Sequence, residues 1–352
     1  MKLKINCFLF IVILSISNSY GQIRSISGKI INKESMNRFL QRQVDSLNIP
    51  GLSIAFINNG KIVYSNEYGY ADIENKIKVK SNTIFEAASL SKTAFAYFIL
   101  KLVDKGILSL DTPLYSYLTN KDLEYDERYK LITARMVLSH TTGMPNWRQG
   151  NLDLKFTPGT EFSYSGEAYQ YLVAVACHLM NKTPKELDQQ FYNEVCRPLK
   201  MKHAYYYWND YIREHRAAGY KEEKGVNKKQ EINKMEDFGA AGSLRTNAID
   251  YANFMIGMMD EKGLSKNMIK EMFKEQTKIP DWKSTDAWGL GISMKKTKYG
   301  MRYMHSGDNG DFTAYFIMNR EKKAGFVFLT NCEKARALFE KLEPYFIEGS
   351  IN

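Results

Sequence analysis

The chain has 352 residues, a formal charge of +10 and four cysteines. Its lysines are scattered rather than gathered in a stripe, and no nucleic-acid motif is present, so the charge points to solubility and not to a nucleic-acid partner. Cys177, Cys196 and Cys332, the set left after Cys7, are odd in number and widely spaced, which argues against a disulfide framework and against a metal site.

A basic start, a short apolar core from Cys7 to Ile16 and small residues up to Gly21 have the pattern of a secretory signal peptide over residues 1–21. The apolar core is too short for a comfortable bilayer span. Cleavage would leave residues 22–352, that is 352 − 21 = 331, enough for one large domain or two lobes, in the periplasm or secreted. The stripe Phe39, Leu40, Val44, Leu47 predicts an amphipathic helix over Glu34 to Leu47. Gly51 to Ile57, Asn58-Asn59-Gly60 and Lys61 to Ser65 read as a hairpin whose turn tolerates positive φ.

Phe85-Glu86-Ala87-Ala88-Ser89-Leu90-Ser91-Lys92-Thr93 comes next and leads into an apolar run from Ala94 to Val103. A helix beginning near Ser89 puts Lys92 on the same face, so its amine lies over the serine hydroxyl. An amine kept partly neutral by burial can take a hydroxyl proton, and the apolar run predicts that burial. The same Ser-x-x-Lys spacing recurs at Ser293 to Lys296. There Trp288 to Lys295 reads as a strand, in which residues three apart face opposite ways.

From about Lys121 to Lys234 helix and loop signals dominate. They include a capped helix after Thr133, a helix from Ala168 to Met180, a capping box at Thr183 to Glu186, and a solvated loop at Lys221 to Lys229. Strand signals return at Trp288 to Met294, Tyr303 to Asp308, Phe312 to Met318 and Lys323 to Thr330, and a helix from Arg336 to Phe346 follows. Strands at both ends with helices between predict an α/β (α+β) fold. The expected division is a sheet lobe at about 22–92 and 235–352 and a helical lobe at about 93–234.

These motifs in this order resemble the serine β-lactamase and penicillin-binding-protein superfamily, in pattern the branch of class C β-lactamases, D-peptidases and family VIII esterases. The resemblance runs over roughly Met36 to Thr330. It is carried by the Ser89 segment, Leu138-Ser-His-Thr-Thr-Gly-Met-Pro, Pro158-Gly-Thr-Glu-Phe-Ser-Tyr-Ser, Gly239-Ala-Ala-Gly-Ser-Leu-Arg-Thr and His305-Ser-Gly-Asp-Asn-Gly. It implies an antiparallel sheet flanked by helices, with an inserted helical lobe. It also implies Ser89 as nucleophile, Lys92 as base and Tyr164 as proton shuttle. The backbone N–H groups of Ser89 and Asp308 would form an oxyanion hole, with His305 and Gly307 lining the substrate, and no metal or cofactor is implied. Tyr251-Ala-Asn253 resembles the family's Tyr-x-Asn better than Tyr164 does, but it sits in a helix-like run.

Two departures bear on substrate. Gly166 stands where the family often has an asparagine that holds the lysine and a substrate amide. His305 replaces the lysine with which many members hold a substrate carboxylate, and imidazole is neutral for much of the time near pH 7. Both lean towards hydrolysis of uncharged esters or amides. The alternatives are D-Ala peptidase or β-lactamase activity, and a binding or sensor protein with poor turnover.

Overall fold

The computed structural model describes residues 22–349 apart from 233, 235, 280, 281 and 283; the expected signal peptide lies outside the described residues. Alternation along the strand Gly51–Asn58 explains the architecture. Leu52, Ile54 and Phe56 point to one core, Ala55 and Ile57 to another, and the whole strand is buried. A strand covered on both faces needs layers on either side. On one face lie the helices Lys33–Ser46 and Ala335–Glu348, whose Phe39, Leu40, Leu338 and Phe346 pack against Phe326 and Phe328. On the other lie the helices Leu90–Asp104 and Ala248–Met259.

The described residues build one nine-stranded antiparallel sheet. Its order is Thr277–Lys278, Ala287–Trp288, Ser293–Thr297, Gly300–Asp308, Thr313–Asn319, Ala324–Thr330, Gly51–Asn58, Lys61–Asp72, Ile77–Lys78. The first and last parts of the chain meet mid-sheet, where Val327 pairs with Ala55. The expected hairpin is present, with Asn59 at φ 51° and Gly60 at φ 68° in its turn. Among the described residues no helix is long and apolar enough to cross a membrane.

Three details differ from expectation. Trp288 to Met294 is not one strand: Ala287–Trp288 and Ser293–Thr297 are separate strands joined by a turn. Gly291 in that turn has φ 76°, and a Cβ there would fall 2.3 Å from Ala96 Cβ, so the turn sits hard against the helix Leu90–Asp104. Lys221 to Lys229 is not a loop but part of a hairpin pairing Tyr220–Glu223 with Val226–Lys229, its turn made by Lys224 at φ 52° and Gly225 at φ 80°. Its charged residues hid the strands because both faces are largely exposed. Cys177, which the apolar run Tyr171 to Cys177 predicts to be core, is instead half-buried, and Cys177, Cys196 and Cys332 are all free thiols.

Candidate active site

Ser89 begins the helix Leu90–Asp104, in which Ala94 to Leu100 have no exposed surface. A helix apolar all round is held by burial on every side. Ser89 makes no side-chain cap bond, so its hydroxyl is not spent on the helix end. Just before it, Ala88 sits at φ 47°, a left-handed conformation that costs a non-glycine residue on the order of 1–3 kcal/mol when the surroundings impose it. The surroundings are specific. Ala87 N–H donates to Leu244 O at 2.8 Å, Leu244 N–H donates to Ser91 Oγ at 2.9 Å, and Phe85–Glu86 pairs with Arg245–Thr246. The segment from Gly239 to Thr246 therefore pins the turn that leads into Ser89.

One helical turn on, Lys92 Nζ lies 3.2 Å from Ser89 Oγ and donates to Ala241 O at 2.7 Å. Burial of the amine lowers its pKa to about 7. The Ser293 copy of the spacing is on a strand, as expected, with Ser293 Oγ bonded to Met304 O.

Tyr164 closes the triangle. Its hydroxyl is close enough to Ser89 to be influenced by it, and its ring centroid is 4.7 Å from Lys92 Nζ. Burial raises its pKa above the usual tyrosine value, with Ser89 opposing, so it stays a neutral phenol. His140 fixes it from both sides. The His140 carbonyl accepts from Ser163 N–H at 2.8 Å and its Nδ1 accepts from Ser165 N–H at 3.0 Å, while its ring packs 4.3 Å from the tyrosine ring. Tyr251 is elsewhere: it is fully buried on the helix Ala248–Met259, with its hydroxyl on Leu90 O.

Across from Ser89 runs the strand Gly300–Asp308. A Cβ on Gly307 would fall 2.5 Å from Ala87 O and 2.8 Å from Ser89 N, so only glycine lets this strand close on the turn at Ser89. Asp308 follows at the strand end, its carboxylate accepting from Gly310 N–H at 2.7 Å. His305 is 3% exposed and 6.1 Å, ring to ring, from Tyr164. Its Nδ1 donates to Ser306 O at 2.7 Å, because a carbonyl only accepts. Burial first, and the Lys92 charge second, push its pKa down to about 3, so the ring is neutral. Beside these groups opens a cleft of about 870 Å³ lined by Trp147, Gln170, Ala241, Gly242, Asp308 and Asn309, among others.

The sequence pattern of the Beta-lactamase family matches residues 36–345. The chain belongs to that family. It is 24% identical over 321 residues to Protein flp of Staphylococcus aureus strain MW2, an alignment covering 85% of this chain and 63% of that protein. Among solved structures it resembles the octameric penicillin-binding protein homologue from Pyrococcus abyssi, with a TM-score of 0.76, 22% identity, and 90% of this chain and 79% of that one covered. It also resembles a class C beta-lactamase, with a TM-score of 0.75, 21% identity, and 91% and 96% covered. These likenesses are of fold.

Within this Beta-lactamase-family fold the departure at Gly166 has a physical cause. A Cβ on Gly166 would fall 2.8 Å from Asn146 O and 2.9 Å from Trp147 Cη2, so an indole edge fills the place of a side chain. The lysine hold expected of an asparagine is supplied by the Ala241 carbonyl. Among the loop aromatics Trp147, Tyr206 and Trp208, which the sequence leaves open either to line an acyl pocket or to pack, Trp147 lines the cleft. Tyr206 is core, bonded to Ser91 O, and Trp208 lies under Arg245. One neighbour had no sequence signal at all: Trp288, whose ring lies 5.4 Å from His305 and 5.9 Å from Tyr164. Its place depends on a strand register that the sequence pattern does not specify.

Proposed function

We propose that this protein is a serine hydrolase that cleaves uncharged esters, or small amides, through an acyl-enzyme on Ser89. The neutral Lys92 amine takes the Ser89 proton, and Oγ adds to the carbonyl carbon. The oxyanion is met by the N–H groups of Ser89 and Asp308 at the positive end of the nucleophile helix. Collapse breaks the bond to the leaving group, which receives the proton relayed through the Tyr164 hydroxyl. Water then adds to the acyl carbon, the C–Oγ bond breaks, and Oγ regains a proton; the sum is ester plus water to acid plus alcohol. The signal peptide expected over residues 1–21 would put this reaction outside the cytoplasm.

The observation that carries the substrate reading is the neutral His305. A buried imidazole with its pKa near 3 offers no cation to a substrate carboxylate, which is what a D-Ala peptide or a β-lactam would bring. The non-turnover reading drew on a loosened lysine, and the Ala241 bond to Lys92 speaks against it. The test is parallel turnover of a p-nitrophenyl ester, a D-Ala-D-Ala peptide and a cephalosporin, with Ser89→Ala as control. The ester is expected to be hydrolysed at least about tenfold more efficiently than either carboxylate-bearing substrate, a gap near 1.4 kcal/mol in transition-state binding. Peptide-only turnover would sink the ester preference. A stable acyl adduct without product would favour the binding protein.

A further inference from the structure

Buried polar atoms are normally paired, and those that are not call for an explanation. Three of them sit on rings around Tyr164, on His140, Trp288 and His305, and the last two matter here. Trp288 Nε1 and His305 Nε2 have no hydrogen-bond partner, and both residues are only 3% exposed. Their roles are fixed and opposite. An indole N–H only donates. On His305, Nδ1 carries the proton because it faces the Ser306 carbonyl, so in the neutral ring Nε2 holds a lone pair. The two rings stand 5.4 Å apart at 84°, and the Tyr164 ring lies 5.9 Å from Trp288 and 6.1 Å from His305. An open donor and an open acceptor on adjacent rings, with a phenol as the third corner of the triangle, are what one water molecule needs, since a buried water requires two to four polar partners.

We propose that Trp288 and His305 hold the water that deacylates Ser89. The inference rests on the acyl-enzyme reading above. The water oxygen accepts from Trp288 Nε1–H, and one of its O–H groups donates to His305 Nε2. Its second O–H faces the Tyr164 oxygen, and its remaining lone pair is free for the acyl carbon. As the new C–O bond forms, the second proton passes through the Tyr164 hydroxyl to the Ser89 oxygen, and the C–Oγ bond breaks. His305 thereby becomes a catalytic residue of the second half-reaction, in place of a cation for binding substrate.

The kinetic consequence is a split between the two halves. His305→Asn keeps a donor for the Ser306 carbonyl and removes the Nε2 acceptor, whereas His305→Gln puts an amide oxygen near the Nε2 position. Trp288→Phe keeps a ring and removes the donor. Acylation and deacylation are separated by the burst and steady-state phases of p-nitrophenyl acetate turnover, with the acetyl-enzyme followed by intact mass. His305→Asn is expected to slow deacylation about tenfold or more while acylation stays within about threefold, so that acetyl-enzyme accumulates, as loss of one hydrogen bond to a reacting group implies. Trp288→Phe should act in the same direction, and His305→Gln should recover deacylation. Unchanged labelling of Ser89 by a fluorophosphonate reports that each variant is folded. Parallel slowing of both halves, or no change in either, overturns the proposal. Wild-type protein that is neither labelled nor acetylated overturns the hydrolase reading itself, and this inference with it; a labelled wild type with variants that keep its ratio of rates overturns only the water site.

Discussion

At the scale of single residues, burial decides who carries the proton. Three titratable groups crowd Ser89, and each is moved by desolvation in the direction that keeps it neutral. Lys92 falls to about 7, His305 falls to about 3, and Tyr164 rises. His140, buried beside the tyrosine, is lowered too, with burial the first cause and the Lys92 charge the second. Of these groups, Lys92 alone changes charge near neutrality, and its lowered pKa means the working base form is present above that value. The expected pH profile of kcat/KM for an uncharged ester therefore rises about tenfold per pH unit below a midpoint near 7, set by the shifted amine, and is flat above it. A midpoint near the unshifted lysine value, or a falling limb below about pH 9, would mean that some other group supplies the base. This much was open to sequence reading, because Ser89 and Lys92 need only a helix to meet and the apolar run after them supplies both helix and burial. The reason for Gly166 was not. It depends on Trp147 arriving from another loop, and no local pattern encodes that approach.

Between elements, the proposed oxyanion hole is a problem of distance, since the N–H groups of Ser89 and Asp308 come from chain segments more than two hundred residues apart. Gly307 allows the approach, and a buried network fixes it. Glu86, three residues before Ser89, accepts from Asn309 Nδ2 at 2.8 Å, and Asn309 directly follows Asp308. The other carboxylate oxygen of Glu86 takes Arg216 at 3.1 Å, and Arg245 lies 3.9 Å away. Asn309 also reaches Gly242 O at 3.3 Å, next to the carbonyl that holds Lys92. One amide thus ties the strand end to the nucleophile turn and to the lysine's anchor. A hydrogen bond to a charged group contributes about 1.5–3 kcal/mol, and here its loss falls on alignment. Asn309→Ala is expected to lower kcat for ester hydrolysis about tenfold with KM within about twofold, and Asn309→Gln to lose less. Stopped-flow acylation measures it, and an unchanged kcat would show that Gly307 alone sets the gap. The sequence pattern marked Asp308 and Gly307 by resemblance but passed over Glu86, since a carboxylate before a nucleophile motif has no partner until the sheet is closed.

At the level of the whole molecule, the central sheet has a buried core on each face, and only one of the two holds Ser89 and Lys92. Ser89, Lys92 and the helix that bears them pack on one face, with Ala314, Phe316 and Val327 beneath. The helices Lys33–Ser46 and Ala335–Glu348 cover the other, over Ile54, Phe326 and Phe328. Strong periodicity made both helices and the long strands legible, whereas the turn at Gly291 and the exposed hairpin at Lys224 were set by tertiary contact and by backbone conformation and left weaker marks. Because Gly51–Asn58 is paired on one side with Ala324–Thr330 and on the other with Lys61–Asp72, the two ends of the chain must be ordered together. A cavity beneath the C-terminal helix should then weaken the whole fold without touching the site. Leu338, fully buried on that helix, is the place to make one. Leu338→Ala is expected to cost about 2–5 kcal/mol in urea unfolding, as deletion of a buried leucine does. The kcat per fluorophosphonate-titrated site should stay within about twofold, because a sheet layer separates the cavity from Ser89 and packed layers relax only partly around a void. A large fall in kcat per titrated site would mean instead that the sheet transmits the strain across its thickness, and that the strand bearing His305 and Gly307 is positioned by the far layer as well as by the network at Glu86.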